Sequence, residues 1–276
     1  MAVMTTPAPA HSEVGRVRLS TRNLSKSFSI GGQSLVAVDN VSIDVREGEF
    51  VSLLGPSGCG KSTVLNIMAG LVESSGGTIA VDGREMKFQE VSSKLGYVFQ
   101  RDTTYPWRTV AKNIGFGLEL TGRSRAEQNE KVTAAVKAAR LTGFEDAFPA
   151  MLSGGMRQRV SLMRTLVMEP EILLMDEPFG ALDAHTKLDM HQLLLEVWER
   201  ARQTVVFVTH DLSEALTLSD RIILLSARPG RVKDEFLVPF ARPRDAVRLR
   251  ETPEYSELFA RIWHSLGEEL TKTASS

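Results

Sequence analysis

One short segment constrains the fold of this 276-residue chain more than any other. It follows the apolar residues Phe50–Leu54, matches the pattern G-x-x-x-x-G-K-[ST], and reads Gly55-Pro56-Ser57-Gly58-Cys59-Gly60-Lys61-Ser62. Apolar residues at helical spacing come next, at Val64, Leu65 and Met68. In a strand–loop–helix unit of this kind, backbone N–H groups of the loop point at phosphate oxygens. The sequence therefore predicts a phosphate-binding loop.

The residues of this loop have different expected roles. The backbone from Gly55 to Gly60 is expected to surround the phosphates, and the following helix adds its positive N-terminal end. Lys61 is expected to reach the β- and γ-phosphates of a nucleotide, and the Ser62 hydroxyl to bind Mg²⁺. We include Thr63 among the nucleotide contacts. Cys59 stands at a variable position of the pattern, so we expect its thiol to be incidental.

Short apolar segments alternate with helical patterns along the chain, which predicts an α/β fold. The segments 50–54, 95–99, 172–175, 205–209 and 222–225 are nearly all apolar, as strands of a buried parallel sheet are. Three segments near the N-terminus alternate more and predict an antiparallel flank; they lie at 17–19, 41–45 and 78–81. We thus predict a P-loop NTPase fold with a mainly parallel core sheet, an antiparallel β flank and an inserted helical subdomain at about residues 101–168.

The ends of the chain differ from its middle. Residues 1–15 are rich in Ala, Thr and Pro and predict a disordered tail, whereas residues 16–240 form the predicted ATPase domain. Residues 241–276 form an extension with an amphipathic helix that begins with Thr252 as N-cap and Pro253 at its first position. Its predicted apolar face consists of Leu258, Phe259, Ile262, Trp263 and Leu266. Because the helix carries more glutamates than arginines, we expect it to dock on its own domain rather than on a membrane.

Charge and cysteine content exclude several classes of function. Lys and Arg total 33 and Asp and Glu total 34, so the formal net charge of −1 argues against a general nucleic-acid binder. The single cysteine, Cys59, cannot form an internal disulfide or a zinc cluster, which is typical of a reducing compartment. The chain has neither an apolar run of about 18–20 residues nor a secretory signal pattern at its start. We expect a protein that stays inside the cell.

Polar side chains follow three of the predicted core strands. Asp176 and Glu177 end the segment 172–175; Asp176 is expected to hold Mg²⁺, and Glu177 to polarise the attacking water as a general base. Two carboxylates after a strand can also form a solvated turn, but the phosphate loop favours a site. His210 and Gln100 follow two other strands, and ligands of open α/β sheets lie at the carboxyl ends of strands. We expect His210 to contact the γ-phosphate, and Gln100 to contact Mg²⁺ or the water.

One further segment makes a family resemblance plain. Leu152-Ser153-Gly154-Gly155-Met156-Arg157-Gln158-Arg159 resembles the signature motif of ABC-transporter ATPases. The other motifs of the family follow the same order along this chain: Gln100, the Asp176-Glu177 pair, the Ala181-Leu182-Asp183 segment and His210. The resemblance therefore covers nearly the whole chain, from residue 16 to residue 231. The family fold is a nucleotide-binding domain that works as a pair.

The resemblance implies roles for residues that spacing alone does not assign. Ser153, Gly154 and Gly155 would contact the nucleotide held by a second, head-to-tail copy of the chain. Gln100 matches the Q-loop glutamine, Asp183 belongs to the D-loop, and His210 is similar to the switch histidine. Phe28 occupies the place of the aromatic residue that stacks on adenine.

A finer resemblance concerns the nitrate, sulfonate and taurine group of bacterial importers. It rests on the segments Tyr105-Pro106-Trp107-Arg108-Thr109-Val110, residues 175–184, and Ser226-Ala227-Arg228-Pro229-Gly230-Arg231. It implies an ATP-hydrolysing subunit that uses ATP and Mg²⁺ at the cytoplasmic face of the cell membrane. The implied partners are a second copy, transmembrane permease subunits and an extracytoplasmic solute-binding protein, without nucleic acid.

Other ABC ATPases remain as alternatives. The subunit of an exporter has the same motifs. Chromosome-maintenance and DNA-repair ATPases carry long heptad insertions, whereas about 90 residues without sustained heptads separate Ser62 from Ser153. Translation-factor ATPases have two such domains in one chain, and this sequence has one phosphate loop. The transported solute is not identified by the sequence, because this subunit would not touch it.

Overall fold

Two β-sheets of different kinds organise the chain in the computed structural model, which describes residues 15–90 and 92–274. The strands are β1 (Val17–Ile30), β2 (Gln33–Arg46), β3 (Phe50–Leu54), β4 (Gly76–Val81), β5 (Arg84–Glu85), β6 (Leu95–Val98), β7 (Ile172–Asp176), β8 (Thr204–Thr209), β9 (Arg221–Leu225) and β10 (Val232–Leu237). The helices are α1 (Lys61–Met68), α2 (Val110–Ile114), α3 (Arg125–Ala138), α4 (Gly154–Leu166), α5 (Ala184–Ala201), α6 (Leu212–Leu218) and α7 (Pro253–Ala274). The predicted tail lies almost entirely outside these residues.

The larger sheet has the strand order β10-β9-β3-β8-β7-β6. Its strands β9, β3, β8, β7 and β6 are parallel, and β3, β8 and β9 are buried along their whole length, which explains their nearly continuous apolar sequences. This confirms the mainly parallel core sheet. Leu54 pairs with Thr209, and Asp176 with Val208, so β3, β7 and β8 end at one edge. The antiparallel edge strand β10 was not predicted, because its charged residues hide the strand pattern.

The smaller sheet is antiparallel and has the order β2-β1-β4-β5, which confirms the predicted flank. Its first two strands contain 14 residues each, far more than the short apolar segments indicated. The reason is that their exposed faces are polar. The turn between them is formed by Gly31 and Gly32 with φ values of 59° and 80°, a conformation that favours glycine.

Helices α2, α3 and α4 lie between β6 and β7 in the chain and pack on one another. The start of α3 is fixed by a capping box, in which the Ser124 side chain accepts from the Glu127 N–H and the Glu127 carboxylate accepts from the Ser124 N–H. This helical group corresponds to the predicted insertion. The exact limits of the predicted domains stay predictions.

The C-terminal helix α7 begins at Pro253, as predicted, and the Thr252 hydroxyl accepts a hydrogen bond of 3.3 Å from the Tyr255 N–H. One face of α7 is buried against β3, β9 and α6 through Leu258, Ile262 and Leu266. Trp263 is 52% exposed, so its assignment to the apolar face was wrong. It stands about 100° around the helix from Ile262 and stacks on Phe259 at the border of the face. In residues 15–90 and 92–274, no helix combines the length and the apolar character needed to cross a membrane.

Two leucines one turn apart on α7 test whether docking of this helix stabilises the fold. Leu266 is 4% exposed and Leu270 is 41% exposed. Because Leu266→Ala leaves a cavity, we expect it to lower the free energy of unfolding by about 2–4 kcal/mol, and Leu270→Ala by less than about 1 kcal/mol. Urea unfolding measures both values. Equal effects of the two substitutions would contradict the docked position of α7.

Candidate functional site

The glycine-rich loop between β3 and α1 folds around the Lys61 side chain. The Lys61 side chain is 4% exposed, and its ammonium group donates hydrogen bonds of 2.9 Å to the carbonyl oxygens of both Gly55 and Pro56. Gly58 and Gly60 have φ values of 76° and 102°, where a side chain is strained. The loop therefore curls back on the charged side chain of Lys61, at its C-terminal end.

Ser62 and Asp176 meet beside this loop. The Ser62 hydroxyl donates to Asp176 Oδ1 at 2.7 Å. Burial raises the pKa of Asp176, and the charge of neighbouring Glu177 raises it further. A hydroxyl and a partly buried carboxylate are oxygen ligands that suit Mg²⁺, so this predicted pair fits the ion. The third predicted metal ligand, Gln100, forms no hydrogen bond with either residue in the described part of the chain.

Glu177 joins three of the predicted residues. Its Oε2 atom lies 3.3 Å from Gln100 Nε2 and 3.0 Å from His210 Nδ1, and its Oε1 atom lies 4.0 Å from Lys61 Nζ. The Glu177 backbone has a φ of 40°, an unusual value for a residue with a side chain. Its N–H donates to the Val208 carbonyl on β8 at 3.0 Å, and this bond holds the turn in place. Three predicted catalytic residues are thus brought together, although their roles stay predictions.

The segment Ser153-Gly154-Gly155 lies in a different group. Ser153 caps α4 by accepting a bond of 3.3 Å from the Met156 N–H. Asp183 caps α5 by accepting from the N–H groups of His185 and Thr186, and its bond with the Thr186 hydroxyl lowers its pKa.

The two helix starts touch, since a Cβ atom on Gly155 would lie 2.6 Å from Thr186 Cγ2. Among the residues that the structure covers, no hydrogen bond joins Ser153–Gly155 with the loop at 55–62. The structure therefore brings the signature segment to Asp183 and not to the phosphate loop of the same chain.

Several contacts of the site were missed by the sequence analysis. The Tyr97 hydroxyl donates to Asn66 Oδ1 at 2.7 Å and lies 3.4 Å from Asp176 Oδ2, so it links β6 with α1 and β7. The Arg157 guanidinium pairs with Asp102 at 2.9 Å and ties α4 to the segment after Gln100. No local pattern indicates such contacts, because their partners are distant in sequence.

Two predicted residues do not join the cluster at Glu177. Phe28 lies on β1 opposite Leu35 and is 36% exposed, with the Lys26 ammonium 5.1 Å from its ring centroid. Its stacking on adenine stays a prediction. The Cys59 thiol is buried, and burial raises its pKa. Because the thiolate is the reactive form, this environment agrees with an incidental thiol.

Comparisons with known proteins agree with this arrangement. Residues 38–180 match the family described as ABC transporter. An ABC transporter ATP-binding protein of Methanocaldococcus jannaschii is 46% identical and is aligned over 94% of both chains. A taurine import ATP-binding protein of Rhizobium johnstonii is 42% identical over 82% of this chain and 87% of its own, and an aliphatic sulfonates import ATP-binding protein of Bacillus cereus is 40% identical over 84% and 92%.

The solved structures that resemble this chain are also ABC transporter cassettes. A dimeric bacterial ABC transporter cassette has a TM-score of 0.72 at 35% identity, and the match covers 81% of this chain and 100% of the cassette. A dimeric post-hydrolysis state bound to ADP and Pi has a TM-score of 0.70 at 33% identity, with the same coverage.

The close approach of Gly155 to Thr186 gives a test of the geometry at the signature segment. Alanine favours helices over glycine by up to about 1 kcal/mol, but here its methyl group would collide with Thr186 Cγ2. We expect Gly155→Ala to destabilise the wild-type chain by about 1–2 kcal/mol. In a Thr186→Ser background, which keeps the hydroxyl and removes the methyl group, the same change should be neutral or stabilising. Thermal unfolding of the four proteins measures this coupling, and equal effects in both backgrounds would exclude the contact.

Proposed function

Because the chain belongs to the ABC transporter ATP-binding family and is an ABC ATPase, we propose that it powers an importer of taurine, sulfonates, nitrate or a related small solute. Relatives named as taurine and aliphatic sulfonates import subunits support this substrate class. The observation that carries the proposal is the convergence of Lys61, Gln100 and His210 on Glu177, beside the Ser62–Asp176 pair.

Hydrolysis of ATP at this edge follows from the positions of these groups. Lys61 exchanges its carbonyl partners for phosphate oxygens. Ser62 and Asp176 would hold Mg²⁺, which would neutralise phosphate charge there. The Glu177 carboxylate accepts a proton from the attacking water, and His210 and Gln100, both at its Oε2 atom, orient that water and the γ-phosphate.

A second copy of the chain completes each nucleotide site in this proposal. Within one chain, Ser153–Gly155 lies against Thr186 and forms no described hydrogen bond with residues 55–62. The N-terminus of α4, with the exposed N–H groups of two glycines, is suited to contact phosphate. A head-to-tail pair with two-fold symmetry would place this segment over the partner's phosphate loop. The related cassettes were solved as dimers.

The other proposed partners are permease subunits and an extracytoplasmic solute-binding protein, with this chain at the cytoplasmic face of the membrane. The candidate permease contact is the segment of Tyr105, Pro106 and Trp107. Trp107 is 71% exposed, and the centroid of its ring lies 5.5 Å from that of Tyr105. The guanidinium carbon of Arg164 lies 4.9 Å from the centroid of the Tyr105 ring. Exposed aromatic residues supported by packing are typical of binding surfaces.

Reconstitution of the complex in vesicles tests the proposal. We expect ATP hydrolysis on the cytoplasmic side to rise severalfold when the solute-binding protein and taurine, an alkanesulfonate or nitrate are supplied on the opposite side. In a matched complex with Glu177→Gln, ATP should remain bound while turnover falls at least about a hundredfold, because the amide cannot act as a base. Hydrolysis that ignores the binding protein while solute leaves the cytoplasmic side would indicate an exporter instead.

A further inference from the structure

The loop that follows β9, residues 226–230, lies along the outer side of the phosphate loop. The Arg228 side chain donates to the carbonyl oxygen of Gly58 from Nη2 at 3.1 Å and from Nε at 3.3 Å. Gly230 donates to the Ala37 carbonyl at 3.0 Å, which anchors the far end of the loop on β2. At the near end, a Cβ atom on Gly55 would lie 2.9 Å from the Leu225 carbonyl oxygen. The 226–230 loop therefore forms an outer wall of the phosphate loop.

The C-terminal helix α7 holds this wall from its other side. The Glu269 side chain is 1% exposed, and its Oε2 atom accepts a hydrogen bond of 2.8 Å from the Ala227 N–H. Its Oε1 atom lies 3.0 Å from the Lys233 ammonium on β10 and 2.7 Å from that of Lys272. A buried carboxylate with several partners fixes their positions, since any displacement leaves a buried charge unpaired.

The end of α7 and the phosphate loop border the same pocket. This open pocket of about 840 Å³ is lined by Ser57 and Gly58 on one side and by Glu269 and Lys272 on the other. The 226–230 loop borders the same pocket and bridges its two sides. A shift of α7 would consequently reach the phosphate loop through Ala227 and Arg228.

The Arg228 contact determines which way one peptide group of the phosphate loop faces. In a trans peptide the N–H and C=O groups point in opposite directions. Because Arg228 holds the Gly58 carbonyl on the outside, the Cys59 N–H points into the loop, where it lies 3.4 Å from the Pro56 carbonyl that Lys61 also contacts. Glycine at φ 76° would otherwise allow this peptide to turn over at little cost. N–H groups that point inward are the ones that bind phosphate.

We infer that α7 sets the nucleotide affinity of the phosphate loop through Glu269, Ala227, Arg228 and Gly58, with Arg228 as the positioning residue. This inference rests on the proposed role of residues 55–62 as the phosphate-binding loop. It gives the C-terminal extension a function: any change that moves α7 alters ATP binding without touching the nucleotide.

Titration of the full-length chain with fluorescent ATP and ADP analogues tests the inference, with thermal unfolding measured in parallel. We expect Arg228→Ala to raise the Kd of both nucleotides about five- to tenfold, because it removes both hydrogen bonds of the guanidinium to the Gly58 carbonyl. Arg228→Lys should recover part of the affinity. The matched control is Arg231→Ala, which removes an arginine that pairs with Asp39 and not with the phosphate loop, and its Kd should stay within about twofold of wild type.

The Glu269 variants test the connection to α7. Glu269→Ala should also raise Kd, and combining it with Arg228→Ala should add less than twofold, because both changes interrupt one path. If Glu269→Ala does not fold, Glu269→Gln replaces it, because this change removes the charge but keeps the shape of the side chain. Its Kd should also rise, and the combination with Arg228→Ala is measured in the same way.

An unchanged Kd in Arg228→Ala would overturn the inference. So would a double variant whose rise in Kd equals the product of the rises in Arg228→Ala and Glu269→Ala. A lower unfolding temperature with unchanged Kd would show a merely structural role and overturn it too. These results concern nucleotide affinity of the isolated chain, so they are distinguishable from a failure of solute-dependent hydrolysis in vesicles.

Discussion

The buried ammonium group of Lys61 is the constraint on which the site depends. A charged side chain that is only 4% exposed needs oppositely polarised groups around its charge, and here the Gly55 and Pro56 carbonyls supply them at 2.9 Å. This requirement curls the chain between β3 and α1 into a narrow loop. It also places positive charge inside the predicted phosphate-binding loop. The fold and the chemistry therefore rely on the same side chain.

The parallel sheet brings the remaining groups to this charge. Since β3, β7 and β8 pair in register, their carboxyl ends lie side by side and deliver the phosphate loop, the Asp176–Glu177 pair and His210 to one edge. The outer side of the loop has separate support from the 226–230 loop and α7. The signature segment lies elsewhere, against Thr186. One chain thus keeps apart the two segments that are proposed to form a nucleotide site, the loop at 55–62 and the signature segment.

The sequence predicts those parts of the fold and of the site that depend on neighbouring residues, and it misses contacts between residues distant along the chain. The strand Phe50–Leu54 was predicted to the residue, because strands buried on both faces need continuous apolar sequence. The edge strand β10 was not predicted, since charged residues at three of its six positions interrupt the apolar pattern. Their positions at the ends of predicted core strands identified Glu177 and His210 as site residues, and the two side chains meet in the structure.

The contacts of Tyr97 with Asp176 and of Arg228 with Gly58 join residues 79 and 170 positions apart. Local periodicity carries no signal for such pairs, and only the folded sheet shows them. The role of Phe28, by contrast, was inferred from the resemblance alone. The residue is 36% exposed on β1, and its stacking on adenine stays a prediction.

The claim at the centre of this account is that each nucleotide site is built from two chains. Mixing two damaged chains, both in a Glu177→Gln background that prevents turnover, tests it most directly. Lys61→Ala disables the phosphate loop, and Ser153→Arg blocks the signature segment. Head-to-tail pairing predicts that neither variant forms a dimer in the presence of ATP when it is the only chain in the sample.

The mixed pair, by contrast, has one intact site, made of the loop from the Ser153→Arg chain and the signature from the Lys61→Ala chain. Size-exclusion chromatography with radiolabelled ATP and chains of different tag length should then show a mixed dimer that retains about one ATP per pair, the stoichiometry that two-fold symmetry requires. Absence of a mixed dimer, together with loss of ATP binding by the Ser153→Arg monomer, would show that the signature acts within its own chain and would contradict the account.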